Sequence, residues 1–233
     1  MFESALDKLD KSELCGTPFP HIFIDNFIND AEYKSLKISL SKLESTEPDK
    51  IFKTRFGEKK EYRSFAHFDT MLKDWADFTS SKEFIKSLQS KFRIPLTEQL
   101  AADPNYDGGG YVISPPGSFL SYHADFNFSS GIEKFRVINV LFYLNDNYDS
   151  KLGGHLHLLD EQSKTVEKIV APLPNRMLAF LTDDTSFHGV SRNLAQFYRR
   201  SFNMYYYAKS PLSKNQSSVP HKTIWISPEE HSD

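Results

Sequence analysis

The sequence predicts a mostly β chain with flanking helices, a sandwich or jelly roll buttressed by amino-terminal helices. Helical periodicity is confined to the first hundred residues. Short apolar or alternating segments, punctuated by Gly108, Gly109, Gly110, Pro115, Pro116 and Gly117, fill the next hundred. No βαβ alternation links the two, so the helices are expected to cover one face of a sheet pair. Aromatic residues make up 14% of the 233 residues, and such broad, flat side chains suit sheets enclosing a pocket.

Each element follows from local chemistry. Residues 19–27 (FPHIFIDNF) are rich in β-branched and aromatic side chains and form a strand. Asn29 or Asp30 caps a helix to about Leu43, striped by Tyr33, Leu36, Leu40 and Leu43. Residues 44–63 lose periodicity and carry six Lys or Arg, which predicts a mobile loop and a candidate substrate lid. Ser81 caps a second helix with Phe84, Ile85, Leu88 and Phe92 at helical spacing, and Pro95 follows its end. Strands are expected at 110–114, 119–126, 136–145, 155–160, 166–170, 176–182 and 199–209. The tail from Ser210 is polar and predicted to be loose. One domain spans 1–233: a strand and supporting helices in 1–102, the β core in 103–209 and the tail in 210–233.

Composition excludes several classes of function. A net charge of −3 gives no general field for phosphate backbones or anionic membranes, so no nucleic-acid or membrane partner is expected. The single cysteine, Cys15, can form neither an internal disulfide nor a Cys-cluster metal site. Residues 1–10 carry Glu3, Asp7 and Asp10 where an export signal needs a basic patch and an apolar run, so a cytoplasmic location is expected. Oligomeric state is not legible.

The chemistry lies in the second half. Strand alternation places His123 and Asp125 on one face, about 7 Å apart along the backbone, as a two-pronged metal clamp. His188, 65 residues later, can supply a third ligand. Two His and one carboxylate on one face of an octahedral ion leave three positions open, as a ferrous centre needs to hold a chelating cosubstrate and dioxygen. In 199–207 (RRSFNMYYY), Arg199, Ser201 and Asn203 share one face and Arg200, Phe202 and Met204 the other. A guanidinium pointing into a pocket needs an anion, and a dicarboxylate ligand would provide it. In 136–145, Ile138, Val140, Phe142 and Leu144 form an apolar packing face, while Val137, Asn139, Leu141 and Tyr143 line a cavity.

These segments resemble the iron(II)- and 2-oxoglutarate-dependent dioxygenases of the prolyl-4-hydroxylase-like branch. His123-x-Asp125, RVINVLFYLN, the Gly153-Gly154 turn, NRMLAF, His188 and Arg199-x-Ser201 follow that family's order over about 103–209. The resemblance implies a double-stranded β-helix (jelly-roll, cupin-like) core. It implies Fe(II) on His123, Asp125 and His188, and 2-oxoglutarate on Arg199, Tyr143 and Ser201, with Arg200 as the alternative anchor. Dioxygen would be the oxidant, ascorbate an accessory reductant, and succinate and CO2 the coproducts of hydroxylating an unactivated C–H bond. The substrate would be a peptidyl (prolyl-type) residue or a small metabolite, with Tyr111, Asn127 and Asn139 as candidate contacts. Tyr111 would substitute for a pocket tyrosine that many relatives have where Ile113 stands. The competing reading is a zinc- or manganese-binding cupin-like hydrolase or isomerase using His155, His157 and His188, or a metal-free binding module.

Overall fold

The computed structural model describes residues 1–226 except Ala195. In the amino-terminal part, α1 (Glu3–Lys11) precedes β1 (His21–Ile24) and α2 (Asp30–Leu43). The strands β2 (Lys50–Thr54) and β3 (Gly57–Tyr62) form a hairpin, followed by α3 (Thr70–Ser80) and α4 (Lys82–Lys91). The rest is strand: β4 (Ala101–Ala102), β5 (Gly110–Ser114), β6 (Leu120–Ala124), β7 (Phe128–Ser129), β8 (Lys134–Tyr143), β9 (Leu156–Leu159) and β10 (Val166–Val170). It continues through β11 (Met177–Leu181), β12 (His188–Val190), β13 (Arg199–Ala208) and β14 (Ile224–Trp225).

The strands join in one curled antiparallel path, β1-β11-β8-β13-β5-β3-β6-β12-β9-β10, the expected jelly-roll arrangement. One half carries β11, β8, β13 and β5, the other β6, β12, β9 and β10, and β3 bridges them by pairing with both β5 and β6. Alternation along β8 and β13 divides the apolar residues into two cores. Val140, Phe142, Phe202 and Tyr206 face the helices, where Trp75 lies 4.8 Å from Phe142 and 5.5 Å from Phe202 between ring centroids. Leu141, Tyr143, Leu158, Leu178 and Phe180 pack on the inner face, between the halves.

Capping fixes the helices. Asn29 accepts from the Glu32 amide at 2.9 Å while Glu32 accepts in return from the Asn29 amide, a reciprocal box. Asp69 and Ser81 cap α3 and α4. The sequence pattern missed α1 and α3, both of which bury a narrow apolar stripe, Ala5 and Leu9 in one and Leu72, Trp75, Ala76 in the other.

Two expectations are corrected. Residues 44–63 are not a loop: β2 and β3 form a hairpin whose second strand is embedded in the sheet. Its β character is masked because Lys59, Glu61 and Arg63 neutralise one another instead of alternating with apolar residues. Gly57 has φ +152°, and a Cβ there would lie 2.3 Å from the Phe119 carbonyl, so glycine allows the hairpin to approach β6. The tail is likewise ordered through Ile226, since its backbone is held by buried polar side chains described below.

Glu44, at the end of α2, ties the helical layer to the sheet. Arg200 donates to both its oxygens at 2.8 and 3.0 Å, and the Tyr111 hydroxyl donates at 2.5 Å. Burial alone would raise this carboxyl, but Arg200 and Tyr111 outweigh it and hold the group below its ordinary 4.5. The unfolded chain therefore binds the proton more readily, so the stabilisation is complete above about pH 4.5 and is lost as pH falls through the lowered folded value. Glu44→Gln should cost about 2 kcal/mol at pH 7 and flatten the acid limb of stability against pH, measured by urea denaturation.

Candidate metal centre and cavity

His123 on β6 and His188 on β12 are cross-strand partners, with ring centroids 4.4 Å apart. Asp125 follows β6 by one residue. One ligand atom from each of the three residues falls within 4.8 Å of the others, and among the described residues no other His, Cys, Asp or Glu trio forms such a cluster. Each imidazole sits in the same local device, Ser-aromatic-His. His123 Nδ1 lies 2.8 Å from the Ser121 carbonyl and His188 Nδ1 2.9 Å from the Ser186 carbonyl. A carbonyl only accepts, so Nδ1 carries the hydrogen and Nε2 keeps its lone pair when the ring is neutral.

The lone pairs are aimed at a carboxylate. His123 Nε2 is 3.5 Å from Asp125 Oδ1 and His188 Nε2 is 3.6 Å from Oδ2. Burial, then the neighbouring His123, pulls His188 down to about 4, so it is neutral near pH 7. Burial alone would raise Asp125, but Arg136 and the two imidazoles hold it well below the usual carboxylate range. Acceptors thus converge with no donor between them, which fits a cation. The imidazole and carboxylate set suits iron(II).

Two side chains hold the carboxylate. Asn139 Nδ2 donates to Oδ2 at 2.6 Å and Arg136 Nη1 lies 3.2 Å from the same oxygen, leaving Oδ1 the less encumbered. The Arg136 guanidinium is itself held over the rings of Phe126 and Tyr205, at 3.7 and 3.8 Å from their centroids. Sequence reasoning missed Arg136 because strict alternation assigns it to the face opposite Asn139. Tyr206 stands opposite Ile138 but Tyr207 opposite Arg136, so one extra β8 residue bulges there and turns Arg136 inward.

Arg199 is buried at the other end of the same cavity. Its Nε donates to the Gly154 carbonyl at 3.0 Å, Nη1 to Ser201 Oγ at 3.4 Å and Nη2 to the Tyr143 hydroxyl at 3.3 Å. No carboxylate among the described residues pairs with it, whereas Arg200 points to the helical face and is bound by Glu44. The cavity has a volume of about 350 Å³ and is lined by the three candidate ligands, Arg136, Asn139 and Arg199, with Lys59, Phe52 and Trp225 at other walls. Burial lowers the Lys59 ammonium against the pull of Glu61.

The other expected contacts are placed differently. Tyr111 stands opposite Phe202, so it faces the helical core and bonds Glu44; it does not line the cavity, and its neighbour Val112 does. Ile113 shares that core. Asn127 does not line the cavity: its Nδ2 donates to the Ser217 and Val219 carbonyls at 2.9 and 3.1 Å, and its Oδ1 accepts from the His221 amide at 2.8 Å. Asn139 is in the cavity, where its Nδ2 is committed to Asp125 and its Oδ1 has no partner among the described residues. The cupin-like alternative fails on geometry. His157 stands beside Gly189 and bonds Tyr122 at 2.8 Å, and His155 bonds Tyr148 at 2.9 Å, so neither joins His188.

Residues 98–207 match the family model of the 2OG-Fe(II) oxygenase superfamily. That segment holds His123, Asp125, His188 and Arg199, so the chain carries a 2OG-Fe(II) oxygenase domain, an oxidoreductase dependent on Fe(II), 2-oxoglutarate and O2. In fold the chain is similar to a prolyl-4-hydroxylase from Pseudomonas putida, with TM-score 0.58, 14% identity, and 89% of this chain and 99% of that one covered. It is also similar to a prolyl 4-hydroxylase from Phytophthora capsici, with TM-score 0.60, 17% identity and coverage of 93% and 67%. A third is a prolyl hydroxylase from Trichoplax adhaerens, with TM-score 0.52, 17% identity and 88% of each chain. No curated protein matches the chain in sequence. Among the described residues no helix is long and apolar enough to cross a membrane.

Arg136→Met should weaken Co(II) binding by about 10- to 100-fold in a calorimetric titration, because Asp125 loses the cation beside its outer oxygen. Tyr111→Phe, altering a side chain outside the cavity, should leave that affinity unchanged.

Proposed function

We propose that the chain is an Fe(II)- and 2-oxoglutarate-dependent hydroxylase of an unactivated C–H bond in a peptidyl (prolyl-type) or small-metabolite substrate, releasing succinate and CO2. The observation that carries this reading is the buried, carboxylate-free guanidinium of Arg199 in the same cavity as three converging metal-ligating groups. His123, Asp125 and His188 would hold the iron, which with 2-oxoglutarate and O2 supplies the oxidising power for hydroxylation.

The remaining work falls to the protein. Arg199 would receive the distal carboxylate of 2-oxoglutarate; the Tyr143 hydroxyl accepts from its guanidinium and keeps a hydrogen to donate, while Ser201 accepts from Arg199 and donates to Asn203. The inner-face residues Leu141 and Leu156 line the cavity between these poles and exclude water from the diacid. Asn139 and Arg136 keep Asp125 ionised and oriented, and the Ser121 and Ser186 carbonyls keep both imidazoles in the ligating tautomer. The relatives in fold include a Trichoplax enzyme titled as a complex with a hypoxia inducible factor peptide fragment, and a Streptomyces hygroscopicus protein, HygX, titled as binding nickel and 2-oxoglutarate. The first supports a peptidyl substrate, and the second supports a metal ion and 2-oxoglutarate sharing one site. A cytoplasmic location remains part of this proposal.

Anaerobic addition of Fe(II) and 2-oxoglutarate should produce a weak visible charge-transfer band. Asp125→Ala should abolish it, and His155→Ala should retain it; the reverse pattern would overturn the assignment. Arg199→Met should raise the 2-oxoglutarate concentration at half-saturation by about 10- to 100-fold, the loss of a charge-assisted pair, while Arg200→Met should not.

A further inference from the structure

A strand accepts an added polypeptide only along an unpaired edge. β6, which carries His123, has none. On one side His188 of β12 stands opposite His123. On the other, Gly57 stands opposite Leu120, the Phe56 carbonyl accepts from the Ser121 amide at 2.8 Å, Trp225 of β14 stands opposite His123, and the Ile226 amide donates to the Tyr122 carbonyl at 2.8 Å. The chain's own hairpin and its own carboxyl-terminal segment therefore occupy the second edge from Leu120 to Ala124.

This cover is built in. Asn127 makes three bonds to the backbone of residues 217–221. Gln216 donates to the Arg136 carbonyl at 2.6 Å, and Asp184 accepts from the Ser217 amide at 3.0 Å while lying 2.9 Å from the His221 ring. The Trp225 ring is placed 4.8 Å from that of His123 and stacks on Phe56 at 4.5 Å, with Phe52 at 6.4 Å, so hairpin and tail close on each other through aromatic contacts. What remains beneath is a cavity of about 350 Å³ that the diacid must share.

The polar wall of that cavity offers hydrogen. Lys59 Nζ uses one donor on the Gly108 carbonyl at 2.6 Å and one on Glu61 at 3.0 Å, leaving a third. Asn203 accepts from Ser201 at 2.8 Å through Oδ1, and its Nδ2 has no partner among the described residues. Both residues line the cavity. We infer, on the oxygenase reading above, that the substrate is a small polar molecule presenting a carboxylate or carbonyl, not an internal residue of an extended polypeptide, with Lys59 and Trp225 as specificity-determining residues.

The test measures succinate formation by the full chain with Fe(II) and 2-oxoglutarate against two panels: free amino and 2-hydroxy acids, and the same side chains inside amino-acetylated, carboxyl-amidated peptides. At least one free acid should raise the substrate-free rate by about tenfold or more, and no blocked peptide should. Lys59→Met should then raise the KM for that acid by about tenfold with kcat nearly unchanged. Trp225→Ala, which removes the ring over His123 and Phe56, should raise the same KM while the anaerobic charge-transfer band is retained. Stimulation by a blocked peptide, by neither panel, or an unaltered KM in both variants would overturn the inference. The anaerobic charge-transfer band separates the two levels: if it forms, only the substrate class has failed, and if it does not, the oxygenase reading itself has failed.

Discussion

A carboxylate, two imidazole lone pairs and a guanidinium confined to one buried volume is the constraint on which the rest of the structure depends. Burial opposes the charge on Asp125 and Arg136 leads the groups that sustain it, while Arg136 and Asn139 occupy its outer oxygen, so the inward-facing atoms are acceptors alone. Such a cluster repels itself until a cation enters. The fold therefore has to supply rigidity from outside the cluster. It does so through strand pairing of His123 with His188, backbone carbonyls on both Nδ1 atoms, and aromatic rings on both sides of Arg136.

The strand β13 shows how one segment serves both stability and chemistry. Its outward residues, Arg200, Phe202 and Tyr206, join the helical layer through Glu44, Trp75 and Phe84. Its inward residues, Arg199, Ser201, Asn203 and Tyr205, line or support the cavity. The two adjacent arginines thus have unrelated roles. The outer one is neutralised by a carboxylate of its own chain, while the inner one has only hydroxyls and a carbonyl, neutral partners that solvate a guanidinium without discharging it.

Much of this was legible in the sequence because alternation has a fixed period. The apolar face Ile138, Val140, Phe142 and Leu144, the sidedness of Arg199 and the His123–Asp125 pair all follow from counting by two. Where the period breaks, the reading broke with it: the bulge in β8 hid Arg136, and Tyr111 lies one residue out of phase with the cavity, whose face belongs to Val112. The hairpin β2–β3 was hidden for a different reason. Its inward side chains are charged and compensate one another within a buried ladder, so they carry no apolar signature. The ordering of the tail was illegible because Asn127 and Asp184 bind its backbone, and its own Gln216 binds the Arg136 carbonyl; a backbone partner leaves no trace in the partner's sequence.

Those two hidden segments meet. The hairpin lies far before the candidate metal ligands in sequence and the tail after them, yet Phe56 and Trp225 stack face to face with an interplanar angle of 11°. Neither could cover β6 alone. The hairpin reaches it only at Leu120 and Ser121, and the tail only from Tyr122 to Ala124. Together with β12 they pair the strand that carries the candidate ligand His123 along both sides. Both segments lie outside residues 98–207, which match the family model and hold the candidate ligands, so chemistry and access to it are carried by different stretches of the chain.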